Sequence, residues 1–190
     1  MHNKTKEYLQ NTLGLNSKII TLAEECEKDI KDQFYIIEEV REYNQYKVLK
    51  SMQNNRLSDI HFNYSTGYGY GDIGRDTLDK VYSDIFHSED ALVRPNIVSG
   101  THALSLCLFG ILRPGDELLA ITGKPYDTLD NIIGIDNNCQ GSLRDFNITY
   151  KQVDLLEDGS FDFDSIKNSI NEKTRLVLIQ RSTGYSWRKS

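Results

Sequence analysis

Between residues 17 and 56 apolar side chains recur at mostly three- and four-residue spacing: Ile19, Leu22, Ala23, Cys26, Ile30, Phe34, Ile37, Val40, Tyr43, Tyr46 and Leu49, set among Glu, Lys, Gln and Asn. That period is the stripe of an amphipathic helix. The stretch contains neither Pro nor Gly, so the spacing predicts one long helix or two consecutive ones, preceded by a turn over 13–16. An arm of this kind needs a surface to lie against, either its own domain or a partner subunit.

After Asn54 the texture changes to SDIHFNYSTGYGYGDIG, a polar loop rich in Gly and Tyr that marks a boundary near residue 60. Beyond it the pattern alternates. A helix is predicted over 75–86, with Leu78, Val81, Tyr82 and Ile85 on one face, then a short strand over 91–98. An apolar helix over 99–112 is closed by the turn Arg113-Pro114-Gly115-Asp116. Strand 117–122, helix 128–135, strand 148–153, helix 163–170 and strand 175–180 follow. Strands separated by helices of this length pair in parallel through right-handed crossovers. The expected fold is therefore α/β, a mostly parallel sheet of buried strands with helices on both faces. Residues 1–60 would form an N-terminal helical arm and 61–190 a domain.

Composition narrows the class. The 190 residues are 38% hydrophobic and 26% charged, a globular profile, and a chain of this size buries roughly 70% of its unfolded surface. The formal net charge of -6 at pH 7 offers no basic face for a phosphate backbone, which argues against nucleic acid as a partner. The longest nearly apolar run, 103–112, is interrupted by Ser105 and Gly110 and is about half the length that spans a bilayer, so no membrane partner is expected. The start, MHNKTKEYLQ, has no apolar core of an export signal, which makes the cytoplasm the default location. Cys26, Cys107 and Cys139 form neither a C-x-x-C pair nor a disulfide framework and read as small buried apolar residues. His2, His61, His87 and His102 show no metal-ligand spacing.

Three loops carry candidate chemistry. In GYGYGDIG, Gly69, Gly71 and Gly74 fit the dinucleotide pattern G-x-G-x-x-G, but that site requires a buried strand before the glycines and an acid ending the next strand. HFNYST is not such a strand, and Glu89 and Asp90 precede the next strand instead of ending it. A nicotinamide site is disfavoured; a surface loop using glycine for positive φ is the plainer alternative. In IVSGTHALSLCL a strand passes through Ser99, Gly100 and Thr101 into an apolar helix. The amides of Gly100, Thr101 and His102 would then face outward at the positive end of the helix dipole, forming an anion cup. Ser99 capping its helix without any ligand is the alternative. In LLAITGKPYDTL, Tyr126 stands just past a strand end, where a ring can stack on a planar ligand at the carboxyl edge of an open sheet.

The runs STGYGYGDIGRDTLDKVYSDIF, ALVRPNIVSGTHALSLCLFGILRPGDELLAITGKPYDTLDNIIG and VLIQRSTGYSWR together resemble the pyridoxal-phosphate enzymes of cysteine and methionine metabolism. Within that group they are most similar to bacterial proteins described as aluminium resistance proteins, cystathionine β-lyases or methionine γ-lyases. The resemblance covers about residue 10 to the end. It implies the fold type I architecture of pyridoxal-phosphate transferases, incomplete here, in a homodimer or homotetramer with sites at the subunit interface. It implies that Gly100 and Thr101 hold the cofactor phosphate through backbone amides, flanked by Ser99 and His102, and that Tyr126 stacks on the pyridine ring. Tyr68 and Tyr70 would reach a neighbouring subunit's site, although the arginine that accompanies them in better-known lyases has no counterpart at the same spacing, Arg75 lying further on. Gln180 and Arg181 would end the strand beside the cofactor or the substrate carboxylate.

The chemistry also needs a lysine to bind the cofactor covalently and an acid to keep its ring nitrogen protonated. In the family both lie after the point where this chain stops. Lys124, in a Gly-Lys-Pro turn, reads as a solvated side chain, and Lys189 stands at the very end. The expectation is therefore the N-terminal portion of a larger carbon-sulfur lyase acting on a sulfur amino acid, inactive alone and without catalytic residues of its own. The alternative is a non-catalytic interaction protein that keeps the family fold without the Schiff-base lysine and uses the helical arm to bind a partner.

Overall fold

The structure, a computed structural model, describes residues 2–68, 70–135 and 140–182. It forms two compact units, Met1–Arg94 and Pro95–Ser190.

The first unit is helical: α1 (Asn3–Asn11), α2 (Ser17–Asp29), α3 (Lys31–Asn54), a 3-10 turn (Asp59–Phe62) and α4 (Ile73–Phe86). The predicted arm is two consecutive helices, because Ile30 leaves helical geometry at φ -100, ψ 7. Asn16 begins α2 by accepting a hydrogen bond from the Lys18 amide at 2.9 Å, the usual role of Asn at that position. The polar helix α1 has no apolar period to announce it; Lys6 ties it to Glu24 of α2 at 2.6 Å. Helix α3 is fixed to α4 through Ser51, whose hydroxyl donates to the Val81 carbonyl at 2.9 Å, and through Asn55, whose amide donates to Asp84 at 2.7 Å. None of the predicted stripe is buried: Ala23 is half-buried, and Ile19, Leu22, Phe34, Ile37, Val40, Tyr43, Tyr46 and Leu49 are exposed, whereas the residue of α2 that is buried is Ile20, outside the stripe.

The strand expected over 91–98 does not form. Its backbone is engaged elsewhere: Asp79 of α4 accepts from the Val93 amide at 2.8 Å and from both terminal nitrogens of Arg94 at 2.7 and 2.8 Å. The Arg94 guanidinium holds the Asp79 carboxyl below its ordinary pKa.

The second unit contains α5 (Gly100–Ile111), β1 (Glu117–Ala120), a 3-10 turn (Asp127–Leu129) running into the single-turn α6 (Asp130–Ile133), β2 (Thr149–Gln152), α7 (Phe163–Ser169) and β3 (Thr174–Leu178). The three strands are all parallel in the order β2-β1-β3, with Leu118 beside Tyr150 on one side and Leu176 on the other. This is the α/β class expected. Successive residues of a strand face opposite ways, so Leu118 joins Leu108, Leu112, Leu129, Ile133, Leu143 and Ile148 on one face, while Leu119 joins Ile121, Val153, Phe161 and Ile166 on the other. Both faces are covered. The strands are not uniformly buried, however: β1 is, but β2 is exposed except at the half-buried Tyr150, and β3 alternates half-buried and exposed positions. Both clusters centre on β1, and each outer strand has a hydrogen-bonded neighbour on one side only among the described residues.

The helix expected over 128–135 is shorter because Gly134 ends it in the left-handed region at φ 82. A Cβ there would stand 2.5 Å from the Ser142 hydroxyl, so glycine is required for both reasons. Cys26 and Cys107 are exposed rather than buried, lying on helix faces that no described segment covers; Cys139 is outside the described residues. Among the described residues no helix is long and apolar enough to cross a membrane.

Candidate functional site

Helix α5 begins where the sequence placed it. Ser99 is extended at φ -157, ψ 164, and its hydroxyl accepts from the His102 amide at 3.1 Å while its carbonyl accepts from Ala103 at 3.0 Å. One correction follows: the His102 amide is not free, because the serine cap uses it. The amides of Gly100 and Thr101 lie in the first turn, without intrahelical partners, and no acceptor among the described residues meets them. Both Ser99 and Gly100 are exposed, and a Cβ built on Gly100 would find no atom within 4 Å. Two donors, an open approach and the positive end of a twelve-residue helix make a seat for a small anion.

The turn after β1 lies against this seat. Gly123, at φ 80, donates its amide to the Val153 carbonyl past the end of β2 at 2.9 Å. Lys124 pairs with Asp130 at 2.6 Å; it is half-exposed and engaged, not simply solvated. Pro125 is buried and Tyr126 half-buried. The Thr128 and Thr101 hydroxyls then meet at 2.8 Å, joining the Tyr126 turn to the first turn of α5. The structure thus brings Ser99, Gly100, Thr101, His102 and Tyr126 into one neighbourhood at the carboxyl edge of the sheet, where open α/β sheets bind ligands.

Gln180, just past β3, belongs to the same neighbourhood. Its side-chain oxygen accepts from the Tyr126 amide at 2.8 Å, its side-chain nitrogen donates to the Ser182 carbonyl at 3.1 Å, and its own amide donates to the Thr122 hydroxyl at 3.0 Å. Arg181 follows it, exposed. Sequence reading missed Thr128, Thr122 and Asp130, since a threonine in a turn and an aspartate opening a short helix carry no signal until the partner segment is known.

Tyr68 and Tyr70 lie in the first unit, 84% and 91% exposed. Their loop is stapled across its ends: the Ser65 hydroxyl donates to Asp72 at 2.7 Å, and Asp72 also caps α4 by accepting from the Arg75 amide at 3.1 Å. Those two donors hold the Asp72 carboxyl below its usual pKa. The glycines have separate uses: Gly67 and Gly71 take positive φ of 74 and 68, while a Cβ on Gly74 would stand 2.2 Å from the His61 carbonyl oxygen. Close packing of the α4 start, and not a pyrophosphate, explains Gly74. Gly69, the first glycine of the pattern, lies outside the described residues, as does Lys189.

Known proteins resemble this chain in sequence and in fold. YnbB, an uncharacterized protein of Bacillus subtilis, is 55% identical over 181 residues, 95% of this chain and 43% of its own length. The crystal structure of a carbon-sulfur lyase involved in aluminum resistance from Clostridium novyi matches with a TM-score of 0.91 at 49% identity, covering 100% of this chain and 45% of that one. A "putative cystathionine beta-lyase involved in aluminum resistance" from Clostridium acetobutylicum matches equally well, with a TM-score of 0.91 at 48% identity and the same coverage. The chain therefore spans less than half the length of these relatives. The family model for methionine gamma-lyase matches residues 19–190, and the chain belongs to that family.

Proposed function

We propose that the protein to which this chain belongs is a pyridoxal-phosphate-dependent carbon-sulfur lyase acting on a sulfur amino acid, and that residues 95–182 supply part of its cofactor seat. The observation that carries this reading is the open pair of amides at Gly100 and Thr101, joined through Thr101 and Thr128 to the Tyr126 turn. A dianionic phosphate fits that donor set, and an aromatic side chain two residues from Thr128 suits a planar ring. The lyase names of the Clostridium relatives support the same reaction class.

When bound, pyridoxal phosphate draws electrons from Cα of the amino acid, so that loss of the Cα proton and of a thiol breaks the C–S bond, with ammonia and a 2-oxo acid released on hydrolysis. The residues of this chain bind and orient. Gly100 and Thr101 fix the phosphate through their amides, the α5 dipole adds favourable field, and Ser99 keeps the first turn from fraying. Tyr126 covers the ring, which limits water at the reacting carbon. The lysine and the carboxylate that the chemistry needs come from the remainder of the longer protein.

We propose also that the working form is a homo-oligomer. The exposed apolar side chains of α2 and α3, with Tyr64, Tyr68 and Tyr70 almost fully exposed, support a surface covered by a second copy. The test is to express the protein from its native gene, add pyridoxal phosphate, and record the visible spectrum, borohydride trapping and release of thiol and 2-oxo acid from cystathionine or methionine. A visible band, a trapped lysine and thiol release are expected. A full-length protein that binds no pyridoxal phosphate sinks the reading.

A further inference from the structure

Gln180 makes three hydrogen bonds at the carboxyl edge of the sheet, two of them to the segment that follows β1. Its main-chain amide is tied to Thr122 at the end of β1, its side-chain oxygen to the Tyr126 amide, and its side-chain nitrogen to the Ser182 carbonyl. The orientation of this amide group is fixed by its partners. A backbone N–H only donates and a backbone carbonyl only accepts, so a flipped amide would lose both bonds. Proline at 125 removes one backbone donor from the Tyr126 turn, and the Tyr126 amide spans 54 residues of sequence to find its acceptor on Gln180. The far end of the same turn is held by the Thr128–Thr101 hydroxyl pair. The ring-bearing residue is thus anchored on one side by β3 and on the other by the helix that carries the two open amides.

The geometry points to Gln180 as a positioning residue: it sets the place of the Tyr126 ring relative to the Gly100–Thr101 seat through the Tyr126 amide, and does not itself bind the cofactor or the substrate carboxylate. This rests on the proposed reading of the seat as a pyridoxal-phosphate site. It departs from the sequence-based expectation that Gln180 faces the ligand, because both ends of its side-chain amide are engaged by protein backbone. Such a bond contributes through order. A turn with one orienting bond removed samples more positions, and a stacked ring then spends less time over its partner.

A double-mutant cycle on the full-length protein separates the two roles. The variants are Gln180→Leu, Tyr126→Ala and their combination, with Gln180→Glu as the conservative control; the readouts are pyridoxal-phosphate dissociation constant, absorption maximum of the bound cofactor, and exchange of the Tyr126 amide hydrogen in the cofactor-free protein. Gln180→Leu is expected to weaken cofactor binding about tenfold and speed Tyr126 amide exchange by a similar factor, the scale of one or two neutral hydrogen bonds. Gln180→Glu keeps an acceptor for the Tyr126 amide but loses the donor to Ser182, so its cofactor affinity should fall between wild type and Gln180→Leu while Tyr126 amide exchange stays near the wild-type rate. In the Tyr126→Ala background, Gln180→Leu should change affinity by less than about twofold, since the ring through which it acts is gone. Multiplying effects, or a Gln180→Leu variant with unchanged amide exchange and unchanged affinity, would overturn the positioning role while leaving the cofactor site standing. A wild-type protein that binds no pyridoxal phosphate removes the site itself, and this role with it.

Discussion

Glu117 opens the central strand with its side chain almost entirely buried, at 4% exposure, and reaches all three strands' segments at once. One carboxylate oxygen accepts from Asn171 at 2.7 Å and Thr174 at 2.9 Å, at the start of β3; the other pairs with Lys151 of β2 at 3.0 Å. Burial works to raise its pKa, but the hydrogen bonds from Lys151, Thr174 and Asn171 together outweigh it, and the pKa is lowered from the ordinary 4.5. Glu117→Gln keeps the shape and one acceptor while removing the charge. A hydrogen bond to a charged group contributes about 1.5–3 kcal/mol, and the half-exposed Lys151 regains water when released, so the expected cost is about 2 kcal/mol at neutral pH. For a chain of this length that lowers Tm by about 4–8 °C. A group whose folded pKa is depressed stabilises the fold above its unfolded value and loses that contribution as pH falls through the folded one. The gap in Tm between wild type and Glu117→Gln should therefore be full above about pH 5 and close as pH is lowered beneath 4.5, measured by circular dichroism melts in a pH series. Lys151→Met, which leaves the buried Glu117 carboxylate with only the neutral donors Asn171 and Thr174, should cost at least as much as Glu117→Gln. A Glu117→Gln protein as stable as wild type at pH 7, or a gap that does not narrow in acid, would refute the clamp.

Three further outcomes follow from local geometry. Gly74→Ala places a Cβ 2.2 Å from the His61 carbonyl oxygen, against backbone that cannot rotate away, so the first turn of α4 must shift at a cost of about 1–3 kcal/mol; chemical denaturation should show this, whereas Gly100→Ala, with nothing within 4 Å, should leave stability within about 0.5 kcal/mol of wild type. Ser99→Ala removes the acceptor for the His102 amide and should lower stability by about 1 kcal/mol, read by the same titration; no change would mean that the serine is not the cap.

What the sequence determined about this protein is what local chemistry and period determine. The alternation of strand-like and helix-like runs after residue 99 was enough for a parallel α/β sheet, because a strand, a crossover helix and a right-handed return leave one arrangement. Ser99 before an apolar helix was enough for a capped N-terminus with open amides, since the cap and the unpaired first-turn donors are properties of any helix start. The tertiary structure decided which apparent signals are spent on packing. Residues 91–98 carry the side chains of a strand, yet Asp79 of α4 takes the Val93 amide and the Arg94 guanidinium, a competition between segments that no local pattern contains. Gly74 completes a nucleotide-binding spacing and serves instead the approach of α4 to the His61 carbonyl. Gln180 reads as a polar residue at a strand end facing a ligand; its acceptor serves the Tyr126 amide across 54 residues of sequence. Hydrogen bonds between distant segments depend on where the chain returns to, and only the folded chain fixes that distance.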